Sequence, residues 1–195
     1  IENDKFYFIV GDVSGKGIPA AMFMMRSKTI IKSYAESGMS VEEVFTLANE
    51  KLCEGNDAGM FVTAWMGILN IRTGKILFAN AGHNHPLVKH SDGTFEYLKS
   101  RAGFVLAGME GVRYRKNELV LEPGDAIYLY TDGVTEATDL NEELYGEDRL
   151  HSILEKYKDE TMEVICSEIK KDVDLFAGEA PQFDDITMLA LKYNG

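Results

Sequence analysis

The sequence predicts an α+β fold, a four-layer α-β-β-α sandwich with two central, mainly antiparallel sheets and helices outside them. Three observations predict it. Apolar periodicity runs in the order strand, two helices, a block of hairpins, two helices, strand. Short turn signals at Arg72-Thr73-Gly74-Lys75, Ser91-Asp92-Gly93 and Pro123-Gly124-Asp125 join neighbouring strands, which antiparallel pairing permits and parallel pairing does not. Hairpins outnumber strand–helix crossovers, which argues against a Rossmann-like parallel sheet.

The elements follow in chain order. Lys5–Val10 is aromatic and β-branched, and Gly11-Asp12 ends it, so a strand delivers an acid to a loop. Ser14-Gly15-Lys16-Gly17 is turn material. Pro19 then sits where a first helical turn tolerates a missing N–H, ahead of a helix over Ala20–Tyr34. Ser40 with Glu43 three residues on forms a capping box for a second helix bearing Val44, Leu47, Ala48 and Leu52. Strands are predicted at Phe61–Ile71, Ile76–Ala81, Leu87–Lys89 and Phe95–Leu98, and Asn117–Leu121 with Ala126–Tyr130 reads as one more antiparallel pair. Leu144–Tyr157 and Thr161–Phe176 carry helical periodicity, and Ile186–Leu191 is a final strand.

A chain of 195 residues without a linker or repeat reads as a single domain over 1–195. Its net charge of -12 repels nucleic acid and anionic lipid alike, so neither is an expected partner. Cys53 and Cys166 are far apart and form no ligand cluster, and there is no apolar run of spanning length and no signal segment. A cytoplasmic compartment is the simplest fit. The chain opens Ile1-Glu2-Asn3-Asp4 without an initiator Met, which reads as a domain excised from a longer, regulated protein.

Three patterns place carboxylates at the ends of apolar strands: Val10-Gly11-Asp12-Val13-Ser14-Gly15-Lys16-Gly17, Leu129-Tyr130-Thr131-Asp132-Gly133-Val134-Thr135-Glu136-Ala137, and Phe183-Asp184-Asp185-Ile186-Thr187. Ordinary Asp-Gly turns explain each singly. If they converge, their mutual repulsion calls for a divalent cation, and oxygen-only donors suit Mg²⁺ or Mn²⁺. The glycine-rich first pattern is not an ATP-binding P-loop, because Lys16 is followed by Gly17 and the spacing differs.

Taken in order, and with Pro19-Ala20-Ala21 and Ala81-Gly82-His83-Asn84-His85-Pro86 added, these patterns resemble the metal-dependent protein serine/threonine phosphatases. The resemblance runs from Phe6 to Leu191 and is closer to the bacterial branch related to the sporulation phosphatase and the stress sigma-factor regulators. It implies two Mn²⁺ or Mg²⁺ ions activating a bridging water between two sheets. It implies Asp12 as a ligand of both ions, the Val13 carbonyl as a ligand of one, and Asp132 and Asp184 as the remaining protein ligands. Asp12, Asp132 and Asp184 are thus the implied catalytic set, with Asp185 in a supporting or accessory-metal role. The implied reaction is hydrolysis of phosphoserine or phosphothreonine on a regulatory protein, an anti-sigma-factor antagonist, under an upstream sensory domain, with a homodimer allowed. Relatives also carry a preceding strand with a Gly-Asp-aromatic-aromatic-Asp type motif, which Ile1–Lys5 does not match, so the first strand is expected outside this sequence. That departure motivates the alternative of a non-catalytic regulatory or binding module retaining the fold.

Other residues have two readings. His83 and His85 either fix a turn or lie near the site, and Lys16 and Arg26 either attract phosphate or are solvated. Met22, Met24, Met25 and Met39 either pack a core or form an adaptable docking surface. Trp65 reads as core, and Thr135 and Glu136 as ordering the turn after Asp132. No Cys-x5-Arg loop surrounds either cysteine, which argues against a cysteine nucleophile.

Overall fold

The computed structural model describes residues 4–182 and 184–195; the expectations placed on Ile1–Asn3 and on Phe183 fall outside the described residues. Among the described residues, eight strands and four helices follow in the order β1 (Lys5–Val13), α1 (Gly17–Glu36), α2 (Val41–Cys53), β2 (Val62–Asn70), β3 (Lys75–Ala81), β4 (Leu87–Lys89), β5 (Phe95–Tyr97), β6 (Asn117–Val120), β7 (Ala126–Tyr130), α3 (Gly146–Lys156), α4 (Met162–Ala177) and β8 (Met188–Lys192). Both sheets are antiparallel, with strand orders β1-β2-β3-β6 and β5-β4-β7-β8, in keeping with the α+β class and the two-sheet architecture expected. They belong to two units, the first holding residues up to His83 with Ser100–Val120, the second Asn84–Lys99 with Leu121–Gly195.

In the first unit, β2 alternates faces as a strand must. Val62, Ala64, Met66 and Ile68 join Phe23, Ile31, Val44, Phe45, Ala48 and Leu52 of α1 and α2 in one apolar cluster. Each large side chain buried this way contributes about 1.5–3 kcal/mol, so tertiary burial holds these helices more than intrinsic propensity does. On the opposite face Trp65 is fully buried, stacked on Phe78 at 4.9 Å and tilted against Phe8 at 5.6 Å. Gly67 makes room for them, since a Cβ there would come within 2.7 Å of both Phe8 and Trp65. The β2–β3 turn closes as predicted, with Asn70 Oδ1 accepting from the N–H groups of Arg72 and Thr73 and Gly74 at φ 68°. Glu43 carries the α2 cap, accepting from the Ser40 N–H at 3.0 Å and from the Ser40 hydroxyl at 2.7 Å. The four methionines divide: Met39 packs against the core, whereas Met22, Met24 and Met25 stand exposed along α1.

The second unit packs α3 and α4 on its sheet through Leu87, Phe95, Tyr128, Tyr130, Val134, Leu150, Leu154, Ile165, Ile169 and Val173. Thr161 caps α4 by accepting from the Val164 N–H at 3.3 Å.

The pairing expected between Asn117–Leu121 and Ala126–Tyr130 does not form. β6 pairs with β3 in the first sheet, and β7 pairs with β4 and β8 in the second. The Pro123-Gly124-Asp125 turn exists, but its backbone is spent elsewhere: Gly124 N–H donates to Tyr193 O, and Asp125 O accepts from the Tyr193 N–H, both at 2.8 Å. The turn is therefore stitched to the end of β8 instead of closing a hairpin. β8 starts at Met188, two residues later than the pattern suggests, because Thr187 bonds to Thr131 beyond the end of β7.

Candidate metal-binding site

In the first unit, β1 delivers Asp12 and Val13 opposite Thr63 and Val62 of β2. Gly11 is required by its neighbour strand, since a Cβ there would meet Thr63 O at 2.9 Å. The loop after Asp12 is tied down at Ser14, whose N–H donates to Phe61 O and whose hydroxyl accepts from the Phe61 N–H, both at 2.9 Å. Gly15 then adopts φ 79° and Gly17 φ 77°, which releases the chain into α1. Thr63, Asp12's register partner, shares its hydroxyl with His83 Nδ1 at 2.9 Å. His83 is itself buried and clamped through its backbone by Asn80, which accepts from the His83 N–H at 2.8 Å and donates to the His83 carbonyl at 2.9 Å. That clamp fixes the turn after β3, one of the two readings of His83, and also holds His83 next to the strand residue paired with Asp12.

In the second unit, β7 ends in Thr131-Asp132-Gly133 and the segment before β8 carries Asp184 and Asp185. The two are fastened together. Thr131 is buried, its hydroxyl donates to Asp185 O at 2.8 Å and accepts from the Thr187 N–H at 2.9 Å, and its own N–H donates to Thr187 O at 3.0 Å. Gly133 permits the approach, since a Cβ there would lie 2.5 Å from Asp185 O and 3.2 Å from Asp184 O. Asp184 is ordered by its own neighbours, its Oδ1 accepting from the Asp185 N–H at 2.8 Å and its carbonyl accepting from Gln182 Nε2 at 2.9 Å.

Electrostatics mark the same place. Glu136 is largely exposed, yet partial desolvation of its carboxyl raises its pKa, and the negative charges of Asp132 and Asp184 raise it further. Asp132 Oδ1 is sealed from solvent and has no hydrogen-bond partner among the described residues. A buried carboxylate oxygen left so is costly, and a cation is the partner that offsets both this cost and the repulsion among the three acids. The donors are all oxygen, the set preferred by Mg²⁺ and Mn²⁺. A divalent ion therefore fits the chemistry of this segment. Among the described residues no group of three or more His, Cys, Asp or Glu side chains is gathered that could hold a metal ion; in the second unit the Asp132 and Asp184 segments are joined through Thr131 and the Asp185 carbonyl, and the charges of both acids are felt at Glu136.

The remaining candidates sort themselves by partner. The Arg26 guanidinium donates to the carbonyls of Lys51 and Glu54 at 2.7 and 2.8 Å, closing the C-terminal end of α2, so its task is structural. Lys16 is exposed at the start of α1. Burial pushes both the Cys53 and the Cys166 thiols up, which keeps them protonated and poor nucleophiles. Thr135 is buried in the turn after Asp132. Thr131 and Ser14 stand inside the sequence motifs, but their clamping role shows only in the structure. The signal available for both is a hydroxyl residue within two positions of an Asp at the end of a strand.

The sequence model of the family described as stage II sporulation protein E matches residues 2–194. Phosphoserine phosphatase RsbU of Bacillus subtilis is 29% identical over 192 residues, covering 98% of this chain and 56% of that protein. Two curated relatives thus extend well beyond the match, which spans 34% of one and 56% of the other. Among solved structures, the SiaA-PP2C domain of Pseudomonas aeruginosa superimposes with a TM-score of 0.84 at 23% identity, over 99% of this chain and 78% of that one. RsbX in complex with magnesium superimposes with a TM-score of 0.69 at 17% identity, over 97% and 82% of the two chains. Among the described residues no helix is long and apolar enough to cross a membrane.

Proposed function

Because the chain belongs to the stage II sporulation protein E family, we propose that it hydrolyses phosphoserine or phosphothreonine on a regulatory protein with the help of two Mn²⁺ or Mg²⁺ ions. The observation that carries this reading is the fastening of the Asp132 and Asp184 segments to each other, with a sealed, unpartnered Asp132 oxygen between apolar β7 and its turn. Asp12, the Val13 carbonyl, Asp132 and Asp184 are the groups that would hold the ions, and Asp185 is assigned a supporting position or an accessory ion. When bound, such ions supply positive charge to the phosphate oxygens and lower the pKa of water.

The chain's own residues do the rest. Rigid strand ends and the Ser14 and Thr131 clamps set the carboxylates in place before substrate arrives, which is the organisation this chemistry rewards. Burial pushes both cysteine thiols up, which disfavours a cysteine nucleophile and supports transfer of the phosphoryl group to water. The partner class is a phosphoserine protein of the anti-sigma-factor-antagonist type, acting in the cytoplasm and under a regulatory region elsewhere in the full protein. The relative named a phosphoserine phosphatase and the one solved with magnesium support the substrate class and the metal. The exposed α1 face at Met22 and Met25 is assigned to holding that partner, since thioether side chains repack readily.

The test is phosphate release from an antagonist protein phosphorylated on serine, with Mn²⁺ supplied. Release that stops with EDTA and in Asp12→Asn supports the proposal. Release unaffected by both refutes the mechanism, and tight binding of the phosphoprotein without turnover in full-length protein assigns the fold to a binding module.

A further inference from the structure

We infer that Thr131 is a positioning residue that sets the separation of Asp132 and Asp184, so that its hydroxyl governs metal affinity without touching the metal. The inference rests on the reading of these two acids as metal ligands.

The geometry is a short chain of contacts. Asp132 follows Thr131 directly, and Asp184 precedes Asp185 directly, so each proposed ligand lies one peptide bond from the two ends of a single hydrogen bond, Thr131 Oγ1 to Asp185 O at 2.8 Å. The same hydroxyl accepts from the Thr187 N–H at 2.9 Å, and the Thr131 N–H reaches Thr187 O at 3.0 Å. The one donor and one of the two acceptor positions of this oxygen are thus committed to the segment bearing Asp184. No β-ladder does this job, because β7 pairs with β8 only from Met188 onward. Gly133 on the other side of Asp132 gives the Asp185 carbonyl its room. Metal ligands tolerate displacements of about half an ångström before affinity falls, and partners one contact removed from a ligand carry roughly 10–100-fold in metal affinity.

Mn²⁺ alone, titrated by calorimetry into the purified chain, tests this. Four proteins are compared: wild type, Thr131→Ser, Thr131→Val and Asp132→Asn. Circular dichroism and a thermal midpoint in EDTA confirm that each is folded. Thr131→Val is expected to weaken Mn²⁺ binding about 10–100-fold, while Thr131→Ser, which keeps both bonds, stays within about threefold of wild type. Rescue by serine is what a purely packing role would not produce, since serine loses the methyl group that valine retains. Should Thr131→Val not fold, Thr131→Ala takes its place under the same criteria. Wild-type affinity in the Val or Ala variant, with binding lost in Asp132→Asn, overturns the inference and leaves the site standing. Wild-type affinity in Asp132→Asn overturns the site itself and the inference with it.

Discussion

The Thr131 hydroxyl donates to the Asp185 carbonyl at 2.8 Å, making the end of β7 and the segment ahead of β8 one mechanical piece. Gly133 lies against the same carbonyl. In Gly133→Ala the new Cβ would stand 2.5 Å from Asp185 O and 2.9 Å from Asp185 C, both backbone atoms that no rotamer change can move. The substitution is expected to cost about 1–3 kcal/mol, the usual range for overpacking. It should also lower phosphatase activity beyond what the remaining folded fraction explains. Urea unfolding alongside turnover at saturating Mn²⁺ checks both halves.

Asn80 offers a second test, in the first unit. It satisfies the His83 N–H and the His83 carbonyl at once, and it is buried. Asn80→Ala strands both groups and is expected to lower stability by about 1–3 kcal/mol. Asn80→Asp keeps the acceptor but sets an oxygen against the His83 carbonyl, so it should be no better than alanine. Urea midpoints of the three proteins at pH 7 decide it; an aspartate variant as stable as wild type would show that the clamp contributes little.

Stability should also carry a signature of Asp172. Its Oδ2 accepts from Arg149 Nε at 2.9 Å and from the Tyr145 hydroxyl at 2.8 Å. The Arg149 guanidinium, aided by that hydroxyl and opposed by partial burial, holds its carboxyl below the ordinary carboxylate range. A group whose folded pKa is depressed stabilises the fold above its unfolded value, near pH 4, and loses that contribution as pH falls through the folded value. Arg149 is 40% exposed, so solvent weakens the pair and Asp172→Asn is expected to cost only about 1 kcal/mol at pH 7. Denaturant midpoints measured from pH 7 down to pH 3 should show the gap between wild type and Asp172→Asn shrinking below pH 4. A gap that widens on acidification contradicts the assignment.

The proposed docking face separates protein substrates from small ones. Met22 and Met25 are 67% and 65% exposed on α1. The double change Met22→Glu with Met25→Glu is expected to lower kcat/KM at least tenfold on a phosphoserine protein while leaving an aryl phosphate within about twofold, because it removes apolar contact area without touching the acids. Equal losses on both substrates would place these residues in the fold or the chemistry instead.

Much of this was legible in the residues. The turn at Arg72-Thr73-Gly74, the Ser40–Glu43 cap and the buried Trp65 all follow from local chemistry that the structure repeats. The hairpin expected between β6 and β7 fails because Pro123-Gly124-Asp125 carries a hairpin's local signals, while the backbone bonds that draw it away go to the distant Tyr193. Met22, Met24 and Met25 keep two readings in the sequence, core packing or a docking surface, since α1 is apolar enough on several faces that composition alone cannot say which one is buried. Asp132 and Asp184 were singled out by their place after apolar strands. The bond that joins their segments spans 54 positions and runs from a side chain to a backbone carbonyl, a contact no local pattern encodes.

If Asp132 belongs to a metal-dependent phosphatase site, as proposed, phosphate release must depend on the metal and on this carboxylate together. Phosphate release from a phosphoserine protein is followed as Mn²⁺ is titrated into wild type and into Asp132→Asn of confirmed fold. Saturable, Mn²⁺-dependent release by wild type, abolished by EDTA, is expected, with a loss of at least about a hundredfold in Asp132→Asn. Equal release by the two proteins, or release by wild type that persists in EDTA, would contradict it.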